Sequence, residues 1–342
     1  MEVSKTRLLN LTKNFIATRI RSDISIQCIY LTGSMLGETP FLNGSTDVDL
    51  VFVHEGEETQ YREIISVSPE ITFDIHHLNQ STFSPPRKLR FDPWIGSSIC
   101  FDPVVLFGKG HWFEFTQASI EANFFLPENV YQRAYQFNNQ ARNAWIQLRN
   151  ETNQTESAYA QQYVKILEDA SNAIACLRFH PMTDRTFMQK FSEIANAINH
   201  PELPGELYGL ILGATDPAPF FDYYFNAWKH YFAYLGKSPL VRKYPQYDSD
   251  RLLYYTNPVE FFWKDHIPSA LWIMLKTWSR ITDCLQLDGN EFFHSFCSIL
   301  EITPDHKKQR ANQVENYLNA VEACLIGWGR SQGLEDKSDV IL

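Results

Sequence analysis

Asp47-Val48-Asp49 opens a run, DVDLVFV, in which every other residue is aliphatic, β-branched or aromatic. The composition of that run predicts a strand. On a strand, residues two apart share a face, so Asp47 and Asp49 point one way while Val48, Leu50 and Phe52 point into a core. Two carboxylates in such a setting are costly to desolvate. The chain must therefore fold so that this end of the strand meets a source of positive charge.

The neighbouring segments show what that source is. Upstream, the strand-like SIQCIYLTG ends in Gly33-Ser34, with Gly37 three residues on and Asn43-Gly44-Ser45 turning back to the Asp strand. Gly33 allows a tight turn, and Ser34 is expected to begin a short helix whose free amides and hydroxyl would receive a phosphate. Downstream, ITFDIHHL reads as another strand with Thr72, Asp74 and His76 on one face and Ile71, Phe73 and Ile75 on the other. If the two strands are neighbours, Asp74 converges on Asp47 and Asp49. Three carboxylates at one point repel unless they share cations. Oxygen-only donors suit Mg²⁺ or Mn²⁺, and two such ions about 3.5–4 Å apart can activate an attacking oxygen and stabilise a leaving pyrophosphate.

Leu31-Thr32-Gly33-Ser34, twelve further residues, Asp47-Val48-Asp49-Leu50 and the later Asp74 together resemble the polymerase-beta-type nucleotidyltransferases. With a helical region behind the strand-rich one, the layout is similar to the antibiotic (aminoglycoside) nucleotidyltransferases. The resemblance covers about residues 29–78. It implies transfer of a nucleoside monophosphate, AMP from ATP being the expected case, to a hydroxyl with release of pyrophosphate. It also implies Gly33, Ser34 and Thr46 as nucleotide binders, and Asp47, Asp49 and Asp74 as catalytic metal ligands for Mg²⁺ or Mn²⁺. Asp74 would in addition help to deprotonate the acceptor. Met35 and Leu36 stand where Arg and Ala are common in that family, and Thr46 where Ser is common.

The remaining pattern sets the organisation. KTRLLNLTKNFIATRIR has helical spacing, and VVLFGKGHWFEF reads as a further strand. NQSTFSPPRKLRFDPW reads as a Pro-broken loop. From about residue 118 the period is helical, and AYAQQYVKILEDASNAIACLRF carries one long apolar stripe. The expected fold class is α+β: an N-terminal mixed sheet with flanking helices over residues 1–117, then an all-α bundle over 118–342 that would bind the acceptor. Aromatic residues make up 14% of the chain, and a large core is their favoured use.

Charge narrows the partners. A net charge of −10 is opposite to that of a protein tracking a nucleic-acid backbone, and it fits a small cationic acceptor such as an aminoglycoside. The expected partners are thus a nucleoside triphosphate and a small molecule, with no membrane. Six scattered cysteines without a CxxC pair read as reduced thiols, and MEVSKTRLLNLTKNF lacks the apolar stretch of a signal peptide, so a cytoplasmic setting is expected.

Other residues have weaker functional readings. His76-His77 lacks partners at zinc-ligand spacing. Arg87, Lys88, Arg90 and Lys109 could reach a triphosphate, although solvated loops are the favoured assignment. Glu168 and Asp169 could serve an acceptor, but an exposed helix face is favoured for them. Two alternative functions remain: a catalytically silent nucleotide sensor or interaction protein on the same fold, and an enzyme whose acceptor is a protein or an RNA end.

Overall fold

The computed structural model describes residues 4–37, 40–56, 60–287 and 289–334. The chain divides into two compact units. One comprises residues up to Phe125 together with Arg242–Asn257; the other comprises Leu126–Val241 and the chain from Pro258 onward. The first unit thus includes a return segment, 242–257, which a boundary at 117/118 would leave out.

The first unit begins with helix α1 (Lys5–Ser22), whose N-cap Ser4 accepts from the Arg7 amide. Five strands follow: β1 (Ile26–Thr32), β2 (Thr46–His54), β3 (Gln60–Ser68), β4 (Ile71–Asn79) and β5 (Val104–Gly108). They form one mixed sheet in the order β3-β4-β2-β1-β5. β2 and β4 run parallel; the other pairs are antiparallel. Alternation gives the sheet two apolar faces. Val48, Leu50, Phe52, Phe73 and Ile75 pack with Leu8 and Ile16 of α1. On the opposite face Cys28, Tyr30, Val51 and Val53 pack with Ile99 of α2 (Ile95–Cys100) and with Phe113, Ile120 and Phe124 of α3 (Trp112–Phe124).

Three expectations change here. β3 is a strand that pattern reading passed over. The strand expected across VVLFGKGHWFEF stops at Gly108, and Trp112 begins α3. Phe113, Thr116, Ile120 and Phe124 are buried at helical spacing, so periodicity outweighs the aromatic β-propensity of HWFEF. The Pro-rich loop contains two short 3₁₀ turns, Gln80–Phe83 and Pro86–Phe91.

In the second unit the regular elements, among the described residues, are helical: α4 (Pro127–Asn150), α5 (Glu156–Ala175), α6 (Phe187–Ala197), α7 (Leu203–Ile211), α8 (Phe221–Lys237), α10 (Ile267–Cys284), α11 (Glu291–Ile299) and α12 (Lys307–Ser331). Between α8 and α10, α9 (Leu252–Asp265) starts in the first unit and carries Pro258 in its interior. α5 packs against α4, α6, α10 and α12. Surrounded in this way, it buries Glu168 and Asp169 instead of exposing them. Lys276 donates to Glu168 Oε1 at 2.6 Å, and Lys165 to Asp169 Oδ1 at 2.6 Å. Lys276 also pairs with Asp184. Many of the aromatics serve as core: Trp145, Trp228, Trp272 and Trp278 are fully buried, and Phe187 stacks on Trp272 at 4.3 Å. None of the six cysteines forms a disulfide. No helix among the described residues is long and apolar enough to cross a membrane.

Candidate active site

The site is built at the start of β2. Parallel pairing sets Asp49 directly opposite Asp74, with Asp47 opposite Thr72. Asp47 and Asp49 share a face by the two-residue period of the strand, and the register carries Asp74 to the same face. One carboxylate oxygen of each lies within 4.8 Å of one from each of the others. Asp47 and Asp74 are buried, and Asp49 is half-buried.

The Gly-Ser turn follows from the β1–β2 pairing. Thr32 is in register with Asp49, so the next residue, Gly33, lies against the Asp49 side chain. Gly33 has φ +72°, and a Cβ there would fall 1.9 Å from Asp49 Oδ2. Glycine is thus required both by backbone conformation and by the closeness of the carboxylate. Gly33–Leu36 forms a four-residue 3₁₀ turn in which Ser34 is exposed and Met35 is buried in the core. Lys5 Nζ donates to the Gly37 carbonyl at 2.7 Å and holds the turn's far end. The Thr46 hydroxyl is buried and donates to the Pro40 carbonyl at 2.8 Å, where it fixes the loop leading into β2.

Two arginines complete the site, and neither was among the residues singled out from sequence. Arg62 lies on β3 opposite His76, two residues along from the position facing Asp74. A long side chain spans that diagonal. Arg62 Nε donates to Asp74 Oδ1 at 2.7 Å while Nη2 donates to Oδ2, a bidentate pair. Arg251, in the return segment and 1% exposed, donates from Nη1 to Asp74 Oδ2 at 3.1 Å and from Nη2 to Asp47 Oδ2 at 3.2 Å. Its guanidinium carbon stands 4.0 Å from the centre of the Tyr254 ring. Arg251 Nε is buried without a hydrogen-bond partner. Asn43 and Asn257 anchor the segment, each side-chain amide donating to the other's carbonyl at 2.9 and 3.1 Å.

No protein-family model matches the chain, and no curated protein matches its sequence. Among solved structures, the crystal structure of a nucleotidyltransferase-like protein from Exiguobacterium sibiricum 255-15 is similar at 9% identity, with a TM-score of 0.31 over 95% of this chain and 92% of that one. What this chain does is therefore read from its own residues.

The electrostatics follow from the contacts. Burial pushes the Asp74 carboxyl up, but the hydrogen bonds and charges of Arg62 and Arg251 outweigh it and hold the group below the usual carboxylate range. His76, on the same face, lies 3.7 Å from Asp74 Oδ1; burial lowers its pKa, and Asp74 opposes that shift. These three carboxylates and two guanidiniums together sum to one net negative charge. The carboxylate oxygens are the right donors for a hard divalent cation such as Mg²⁺ or Mn²⁺. The guanidiniums already neutralise much of the charge that would draw one in.

The other basic residues have different partners. The Arg90 guanidinium donates to the Ser119 carbonyl at 2.6 Å, and Lys109 Nζ to the Ile24 carbonyl at 2.7 Å. Arg87 and Lys88 are exposed on the Pro86–Phe91 turn. His77 points away from Asp74 and forms a hydrogen bond with His54 at 2.9 Å.

Proposed function

We propose that this chain is a divalent-cation-dependent nucleotidyltransferase that moves a nucleoside monophosphate, AMP from ATP in the first instance, to a hydroxyl of a small acceptor. The observation that carries this reading is the convergence of Asp47, Asp49 and Asp74 from two parallel-paired strands, beside a Gly33-Ser34 turn that makes room for Asp49. The acceptor hydroxyl gives up its proton to water as its oxygen attacks the α-phosphorus, the bond from that phosphorus to the oxygen bridging to the β-phosphate breaks, and pyrophosphate leaves. Asp47 and Asp49 would hold a divalent cation, which when bound would neutralise charge on the triphosphate and on the departing pyrophosphate.

The chain's own residues have distinct parts in this proposal. Gly33 and Ser34 lie where triphosphate oxygens would approach, and Thr46 holds the loop that sets Asp47 in place. Asp74, with its carboxyl held low by two arginines, is a weak base and serves as the electrostatic anchor of the centre. An acceptor carrying amino groups suits the acidic chain.

A second reading, nucleotide binding without transfer, is favoured by one observation. Arg251 stands between Asp47 and Asp74, two of the three carboxylates the chemistry would use. One experiment separates the readings: incubation with the four NTPs labelled at the α-phosphate, Mg²⁺ and pooled small hydroxyl compounds. Label in a new small-molecule product supports transfer. Nucleotide retained by the chain with no labelled product supports binding alone, and the absence of both labelled product and retained nucleotide overturns both readings.

A further inference from the structure

We infer that Arg251 takes the place of a second cation, so that this centre holds one divalent ion where a three-carboxylate platform would hold two. The inference rests on the proposed reading of the triad as a metal site and specifies its composition.

The geometry limits where a cation can sit. An ion shared with Asp74 must compete with Arg62, which donates to Oδ1 and Oδ2, and at Oδ2 with Arg251 as well. An ion shared between Asp47 and Asp74 must lie where the guanidinium of Arg251 lies, since its two amino groups reach one carboxylate each at 3.2 and 3.1 Å. Arg251 is not a surface side chain passing through. It is 1% exposed, stacks on Tyr254, and belongs to a segment pinned by the Asn43–Asn257 pair. Asp248 reinforces it by accepting from the Asp250 amide at 3.0 Å in the turn just before Arg251.

Charge gives the same answer. Among these five groups the carboxylates total −3 and the guanidiniums +2. One divalent ion takes the sum to +1. A second would take it to +3, with like charges a few ångströms apart in a buried setting, where repulsion is poorly screened. Asp47 and Asp49, two residues apart on one face of β2, are the pair assigned to the single ion. The guanidinium acts as a permanent counter-charge that cannot be chelated away.

The test is an equilibrium titration of the full chain with Mn²⁺ alone, free ion being followed by its paramagnetic resonance signal. The unaltered chain is expected to bind one Mn²⁺, and Asp49→Asn to lose it. Arg251→Met and Arg251→Gln are expected to gain a second Mn²⁺, bound at least about tenfold more tightly than anything beyond the first in the unaltered chain, because a like charge has been removed. Arg251→Lys, which keeps the charge, is expected to stay at one. Two Mn²⁺ on the unaltered chain, or one on both the unaltered chain and the Met and Gln variants, overturns the inference and leaves the metal-site reading standing. No Mn²⁺ on any chain overturns both. If neither neutral variant folds, the count on the unaltered chain decides, one supporting the inference and two refuting it.

Discussion

Oδ2 of Asp49 stands 1.9 Å from the point where a Cβ on Gly33 would be. The turn after β1 and the acidic strand β2 are therefore one construction. Gly33→Ala forces an L-residue to φ +72° and drives a methyl group into the carboxylate. The backbone strain alone costs about 1–3 kcal/mol. Thermal denaturation is expected to show a lower Tm, and Mn²⁺ titration a weaker first site, because Asp49 has to move. Unchanged Mn²⁺ affinity in a destabilised variant would separate the turn from the site.

Arg62 and Asp74 form a bidentate pair with the carboxylate buried. Arg62→Met removes one of two counter-charges from that carboxylate. The expected loss of stability is about 3 kcal/mol, by analogy with other buried ion pairs broken from one side. Asp74→Asn in the same chain should recover much of it. Urea denaturation of the two single variants and the double variant measures the coupling. Simple additivity would show that the pair contributes little.

Much of this site was legible in the sequence because strand alternation is a strict rule. Val48, Leu50 and Phe52 fall in the core, and Asp47 and Asp49 fall opposite them, as a period of two requires. The arginines were not legible, for two different reasons. Arg62 sits on β3, QYREIISVS, where charged residues interrupt the apolar pattern, and without β3 its diagonal to Asp74 is invisible. Arg251 meets Asp74 across 177 residues of sequence, through a return segment that no local period announces. Glu168 and Asp169 lie off the apolar stripe of α5 and so read as exposed, yet four helices pack around α5 and bury them. In HWFEF the aromatic content suggested a strand, and only the longer spacing from Phe113 to Phe124 reveals the helix.

His54 and His77 predict a pH dependence away from the candidate site. Ser25 Oγ lies 2.6 Å from Asp23 and 3.0 Å from His54 Nδ1. His54 Nε2 lies 2.9 Å from His77 Nδ1, and His77 Nε2 3.2 Å from Glu63. Burial lowers both imidazoles, His77 to about 4. Between pH 4 and the ordinary value of 6.5, the unfolded chain binds protons that the folded chain does not. This contribution is therefore fully present above 6.5 and is lost as pH falls through that window. Tm measured from pH 7.5 down to pH 4 should fall, and His77→Gln should flatten the slope between about 6.5 and 4. An equal slope in both chains would remove His77 from the account.

The central claim is that the carboxylates of β2 carry out metal-dependent nucleotidyl transfer. The most direct measurement is Mg²⁺-dependent pyrophosphate release from ATP in the presence of an acceptor, by the unaltered chain and by Asp47→Asn and Asp49→Asn. Release is expected to need Mg²⁺ and to fall at least about a thousandfold in either variant. Release undiminished in Asp47→Asn or Asp49→Asn would contradict the claim.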